Sequence, residues 1–329
     1  MASSDLLQER PQPRPRRART TRARRDARAG IALVSPTFAV VLTIVILPVI
    51  WALVLSFKNV QLLNLRHVNL LAGPYTLRNY NLLFSDSEFA TALRTTVEFS
   101  LFGTLGAIVL GMCAALLVRR PFRGRGVVRG VLLLPWVAPV VALTFVWQVL
   151  LSPQLGLVNS IGTHILGWHS PIPFLSQEHG TVTIFGVGIG VPTALLVVIC
   201  FDAWRAFPFA FLFILARLQA ISPELEEAAR VDGAVPTQVF RYIVLPQLWD
   251  VIALIAVLRF IFTFNDFDEI YLLTGGGAGT QVLATQVYSF ISARHDIGGG
   301  AAVAMFMAAA LCVLLIVYVR FFAQREQRR

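Results

Sequence analysis

Two stretches of this chain carry no charged residue at all: Ile31–Phe57, 27 residues, and Gly130–Gln177, 48 residues. Crossing the hydrocarbon core of a bilayer takes about 20 apolar residues as a helix, so the second run alone has room for a span and its flanks. Only 14% of the 329 residues are charged, against about 25% in a soluble domain, and mean hydropathy is +0.70. Backbone groups in lipid must be paired inside the segment or in a closed barrel. Barrel strands alternate over about ten residues, and these runs do not. The fold class that follows is an all-α membrane protein with six transmembrane helices, at about 31–57, 93–118, 129–151, 193–217, 248–274 and 299–322. Residues 180–217 are long enough to raise the question of two spans, but at about 1.5 Å per residue they fall short of two crossings and a turn. Pro192 is the expected start of a single one.

Basic residues orient the spans, because cytoplasmic loops carry the excess of Lys and Arg. Nine arginines lie between Arg10 and Arg28, five more (Arg119, Arg120, Arg123, Arg125 and Arg129) follow the second span, and Arg325, Arg328 and Arg329 follow the last. Residues 152–192 contain neither Lys nor Arg. Both termini are therefore expected in the cytoplasm and 152–192 outside. The Pro- and Arg-rich residues 1–29 read as a disordered tail. A nucleic-acid arm lacks supporting aromatics and a binding fold. The apolar run that follows is too long for a signal peptide. The domain plan is then tail 1–29, transmembrane domain 30–323 and a short cytoplasmic tail 324–329.

Between the fourth and fifth spans lies a polar island, "EEAARVDGAVPTQVFRYIVLPQL", Glu226–Leu248. Ser222-Pro223 reads as a helix start, and Glu224, Glu226 and Glu227 suit its dipole. Leu225, Ala228 and Ala229 share one small apolar face, and Gly233 is the expected stop. A second short helix is expected from Pro236, with Val239, Phe240 and Ile243 inward and Pro246 breaking the chain before the next span. Two short helices joined at a glycine would lie along the cytoplasmic surface. Spacing alone leaves an amphipathic loop that orients the spans as a full alternative.

The letters add more. Glu227-Ala228-Ala229, three residues, Gly233, nine residues, then Ile243-x-Leu245-Pro246 resembles the EAA loop of ABC-importer permeases, and "VDGA" (Val231, Asp232, Gly233, Ala234) resembles its sugar branch. "RFIFTFNDFDEIYLLTGGGAGT", Arg259–Thr280, is similar to the fifth helix and outer loop of the first permease of sugar importers, with Ala278 where that branch often has proline. The likeness runs from about residue 30 to the end, leaving out the arginine tail and an extra outer stretch, Thr181–Pro192. It implies the type I ABC importer permease fold in a bacterial inner membrane, with the loop at about 218–247 docking on a separate ATPase. Implied partners are a second permease (a heterodimer), two ATPase subunits, an extracytoplasmic solute-binding protein and a sugar, a disaccharide or short oligosaccharide. The resemblance aligns Phe264, Asn265, Asp266 and Phe267 with the substrate path, where Asn265 and Asp266 would contact sugar hydroxyls or else serve structural pairing.

The chain holds one lysine, Lys58, followed by Asn59, so no phosphate-binding Walker loop is present. His164, His169 and His179 fit no helical metal pair, and no nucleophile–base constellation is visible. No metal, cofactor, nucleic-acid partner or enzymatic activity is expected. Cys113, Cys200 and Cys312 read as buried packing residues. Charges inside spans carry a functional expectation: Glu98, Asp202, Arg205, Arg259, Asp266, Asp268 and Glu269. Asp202 is three residues from Arg205, in pairing range, and Asp268 and Glu269 are expected at the outer headgroups. Their carboxylates keep a gradient-driven transporter as the alternative, though no inverted repeat is visible; a permease for glycerol phosphate is disfavoured by the scarcity of cations in the spans.

Overall fold

A computed structural model describes residues 17–67, 73–184 and 187–326; what the sequence predicts for residues 1–16 lies outside them. The chain divides into two compact units, ending and beginning at Leu53 and Val54. The first holds α1 (Arg17–Val41), a π-helical turn (Leu42–Ile46) and the start of α2 (Leu47–Ser56). The tail expected to reach residue 29 is thus helical from Arg17 onward. No proline lies between Pro15 and Pro36, and Ala and Arg are among the strongest helix formers, so the helix of the first span extends back through the arginines.

The second unit contains α3 (Arg78–Ser85), α4 (Ser87–Leu117), α5 (Arg125–Val137), α6 (Val140–Leu151), α7 (Leu157–His164), an antiparallel pair β1 (Gly180–Ile184) and β2 (Val187–Val191), and α8 (Thr193–Gln219). There follow α9 (Pro223–Val231), α10 (Pro236–Val239), α11 (Leu245–Phe264), α12 (Asp268–Thr274), α13 (Leu283–Ser292) and α14 (Ile297–Glu326). Among the described residues five helices are long and apolar enough to cross a bilayer: Gly30–Ser56, Ser87–Leu117, Thr193–Gln219, Pro236–Phe264 and Ile297–Arg320. A sixth exists if α5 and α6, bent by 93°, count as one broken span. The sequence suggested an unbroken helix there. Pro139 disfavours helical backbone at the residue before it, and Ala138 is extended at φ −70°, ψ 144°.

The core is the packing of α4 on α8, and small residues make it close. A Cβ on Gly106 would lie 2.7 Å from the Ala203 Cβ, and one on Gly111 would lie 2.7 Å from the Ala210 Cβ and 2.8 Å from the Phe211 backbone nitrogen. Bare backbone is what lets membrane helices approach this far. Below this seam, Ala114, Val118, Phe211, Ile214 and Leu218 join Val239, Val244 and Leu248 in one buried cluster. The three cysteines stand exposed rather than buried. Glycine, alanine and phenylalanine make up most of the inward positions of α4 and α8 alongside a few Ser, Thr and aliphatic residues, and Cys113 and Cys200 stand outside them.

Helix α8 begins after Pro192 as expected, with the β-hairpin ahead of it. The fifth span does not run 248–274. It starts at Pro236 and stops at Phe264, and α12 is a separate helix. Nor does Pro246 break the chain: α10, a π-helical turn (Phe240–Val244) and α11 run on without interruption. A proline has no N–H to give the carbonyl four residues back. The turn before it widens, so that the Leu245 N–H donates to the Phe240 carbonyl, five residues back. The same device precedes Pro48, where the Leu47 N–H donates to Leu42.

Candidate functional site

The polar island takes the helix–glycine–helix form its sequence predicts. Ser222 sits at the N-cap and Pro223 at the first helical position, although the Ser222 hydroxyl makes no capping bond. Helix α9 ends at Val231 with Asp232 as its C-cap, and Gly233 turns left-handed at φ +85°. The Gly233 N–H then donates to the Arg230 carbonyl (3.0 Å) and the Ala234 N–H to the Ala229 carbonyl (2.9 Å). This Schellman arrangement satisfies carbonyls that the helix end would otherwise strand. The Val235 N–H is taken by the Gln238 side chain at 2.9 Å.

What the island buries and what it offers are distinct. Ala229, Ala234, Phe240 and Ile243 pack against the buried cluster of α4 and α8, and Leu245 is half-buried. Glu227, Ala228, Asp232, Gly233 and Pro246 are exposed, so only Ala229 of the predicted Leu225–Ala228–Ala229 face turns inward. Leu225, Val231 and Val235 leave half or more of their surface uncovered (50%, 87% and 51%). Apolar side chains left out on a charged, well-capped helix suit a surface that another protein covers. An ion pair from Arg119, in the turn after α4, to Glu226 holds the island to the rest of the chain. Arg125 braces that turn by donating to the Arg119 carbonyl at 2.9 Å, and the Arg217 Nε reaches the Gln247 carbonyl at 3.1 Å. Sequence reading assigned Arg119 to topology alone. Two like-sided loops rich in opposite charge were the signal available for the pair.

At the far end of α11 the chain breaks between Phe264 and Asp268, and the four residues read as a substrate path separate there. Phe264 is buried, stacked on Phe260 with centroids 5.8 Å apart. Asn265 is exposed, its amide donating to the Ile261 carbonyl at 2.8 Å. Asp266 is half-buried, with its Oδ2 3.9 Å from Arg205. Phe267 stacks on Tyr271 (4.8 Å, 19° between planes) and leans on Tyr288 (5.3 Å). Neither tyrosine figured in the sequence reading; Tyr271 lies four residues after Phe267, the spacing that stacks rings on a helix.

The charges inside the spans pair differently from expectation. Asp202 does not pair with Arg205. Its Oδ1 accepts from Arg259 at 2.7 Å, and Arg259 also reaches the Thr263 hydroxyl at 2.9 Å. Arg205 instead pairs with Glu269, which is fully buried rather than at the headgroups. Bond number decides the outcome: α8, α11 and α12 converge here, and partners on neighbouring helices let every charge be met without leaving the interior. Glu98 pairs along its own helix with Arg94 at 2.7 Å. Among the described residues the carboxylates of Asp202, Asp266 and Glu269 are the one acidic group close enough to share an ion, within 4.8 Å of one another. Two guanidiniums already occupy that space, and the cluster is an ion-pair network. Position 278 explains a departure from pattern: Ala278 sits at φ +50°, a conformation proline's ring forbids.

The chain thus sets a helix capped at its C-terminal end on one side of a membrane-spanning helix and a polar break on the other. The chain belongs to the family described as binding-protein-dependent transport system inner membrane component, whose pattern matches residues 107–328. It is 33% identical over 300 residues to the trehalose/maltose transport system permease protein MalF of Thermococcus litoralis, spanning 90% of this chain and 94% of that one. It is 26% identical to the trehalose transport system permease protein SugA of Mycobacterium tuberculosis, spanning 93% and 92%. The crystal structure of a bacterial ABC transporter involved in the import of the acidic polysaccharide alginate contains a chain of the same fold, with TM-score 0.76 and 21% identity over 93% of this chain and 99% of that one. The family is a membrane component of transport systems, not an enzyme.

Proposed function

We propose that this chain is one permease of an ATP-driven importer for a neutral di- or oligosaccharide, working as a heterodimer with a second permease. Two ATPase subunits and an extracytoplasmic solute-binding protein complete the assembly, in a bacterial inner membrane with both termini of this chain cytoplasmic. The observation that carries the reading is the island's geometry: Glu227, Ala228, Asp232 and Gly233 form a capped helix end left exposed, Ala229 anchors it to the buried cluster, and Ile243, Leu245 and Pro246 root it in a membrane helix. The sugar is inferred from relatives whose names specify trehalose and maltose. Asn265, Asp266 and Phe267 are the groups offered to the passing solute, with Phe264 packing behind them. The gradient-driven alternative loses its motive, because the inward-facing carboxylates among those that suggested it, Asp202, Asp266 and Glu269, face Arg259 and Arg205.

The test is affinity purification of the tagged chain from its host in mild detergent, followed by mass spectrometry and measurement of ATP-driven sugar uptake after reconstitution. A Walker-motif ATPase and a second permease should co-purify. Gly233→Val should keep the chain in the membrane but lower uptake severalfold, since a β-branched residue held at positive φ costs about 1–2 kcal/mol at the helix end. Recovery of the chain alone, or unchanged uptake by the variant, refutes the proposal.

A further inference from the structure

Beyond the break at Asn265 and Asp266, a cavity of about 220 Å³ opens between α12 and α13, lined by Tyr271, Gly275, Gly276, Gln281, Tyr288 and Ser289 among others. Three features set it apart. Its walls include two tyrosine rings that meet edge to face, centroids 5.0 Å apart and planes 67° apart, and each keeps about two-fifths of its surface exposed (39% and 43%). No Asp, Glu, Lys, Arg or His lines it. Its mouth is bare backbone: Gly275 and Gly276 both turn left-handed, at φ +66° and +80°, and a Cβ on Gly276 would stand 3.4 Å from the Thr285 hydroxyl.

The polar groups divide into committed and uncommitted ones. The Thr285 hydroxyl donates to the Val282 carbonyl at 2.8 Å and accepts the Val282 N–H at 3.0 Å. The Ser292 hydroxyl donates to the Tyr288 carbonyl at 2.8 Å. The Gln281 amide and the Ser289 hydroxyl remain to face the cavity beside the tyrosines, and these groups both donate and accept. Aromatic faces with neutral two-way hydrogen-bonding groups fit a ligand that has apolar C–H patches ringed by hydroxyls. They do not fit a carboxylate or phosphate, which needs a cation or free N–H groups to replace its water: no cation lines the cavity, and the Val282 and Leu283 N–H groups at the start of α13 are taken by the Thr285 and Thr96 hydroxyls. Drug-sized ligand pockets run about 300–1,000 Å³, so this smaller one holds a single ring. Phe267 stacks on Tyr271 and leans on Tyr288, so the cavity's tyrosines touch a residue already proposed to meet the solute.

We propose that this cavity is a subsite for one ring of a neutral saccharide, and that Tyr271 and Tyr288 set the transporter against uronate-containing sugars. This rests on the permease reading above. The same chain holds a second, charged cavity lined by Asp86, Arg294 and Asp296, so the absence of charge around the tyrosines is a local property and not one of the whole surface.

The assay uses the complete transporter in lipid nanodiscs and proteoliposomes, with trehalose, maltose and a mannuronate disaccharide as probes. Saturation-transfer NMR reports binding, and ATP-dependent uptake reports KM and kcat. Tyr271→Ala and Tyr288→Ala are expected to weaken binding of the transported neutral sugar about tenfold, equivalent to 1.4 kcal/mol, and to raise KM with kcat held. Tyr288→Phe, which keeps the ring, should recover most of the loss, a rescue that a merely structural role for the ring's hydroxyl would not give. The mannuronate disaccharide should give no saturation transfer. Wild-type affinity in both alanine variants, or equal binding of the uronate, overturns the subsite while intact uptake leaves the importer reading standing. Failure of the wild-type transporter to take up any of the three sugars overturns both.

Discussion

Replacing Arg259 with methionine isolates what the buried ion pairs contribute. The Asp202 side chain is 1% exposed and the Arg259 side chain 11%, and they meet at 2.7 Å. Methionine keeps most of the volume and removes the charge, which strands the Asp202 carboxylate in a dry interior. Its other oxygen already has no hydrogen-bond partner, and Arg205, the other guanidinium in the cluster, is committed to Glu269. Breaking one side of a buried pair costs about 3–5 kcal/mol. At about 2 °C per kcal/mol, the low end for large domains, the melting temperature of the purified chain should fall by roughly 6–10 °C. The double variant Asp202→Leu with Arg259→Met removes the stranded charge as well, and replacement of both partners by apolar groups is near neutral, so it should return to within about 3 °C of wild type. Scanning fluorimetry in detergent, with retention on size exclusion as the second readout, measures both. A single variant within about 2 °C of wild type refutes the reasoning, and so does a double variant no better than the single.

Two further outcomes are expected. Gly111→Val should lower the melting temperature by several degrees, because its Cβ would come within 2.8 Å of the Phe211 backbone nitrogen and overpacking of this kind costs about 1–3 kcal/mol; Gly126→Val, with open space around its Cβ, should cost far less. Arg119→Glu should reduce uptake with assembly intact, by loosening α9 from the turn after α4, and Arg119→Glu combined with Glu226→Arg should restore part of it.

The spans were legible because their signal is local: a run of uncharged residues long enough to cross a bilayer needs no knowledge of neighbours. The cap at Gly233 was equally readable, since only glycine turns left-handed there without strain. The internal structure of the spans was harder. Pro139 and Pro246 look alike in a sequence, yet one stands at a 93° bend and the other is absorbed by a π turn, and the choice belongs to what packs around each. Pairing of charges was the least readable. Asp202 and Arg205 sit one turn apart on α8, and proximity in sequence suggested a pair; the actual partners, Arg259 and Glu269, lie 57 and 64 residues away on other helices. The tyrosines of the cavity escaped for the same reason, because α12 and α13 are brought together only by the fold.

The unbroken run from Pro236 to Phe264 has a mechanical meaning. Its 29 residues make a rod of about 44 Å at 1.5 Å per residue, with the polar island rooted at one tip and Asn265 at the other. A continuous helix moves as one piece, so a partner that displaced the island would also tilt or rotate the Asn265 end of the same helix. The π turn ahead of Pro246 is what keeps the run continuous: it takes one extra residue into a single turn, so that the proline's missing N–H does not end the helix.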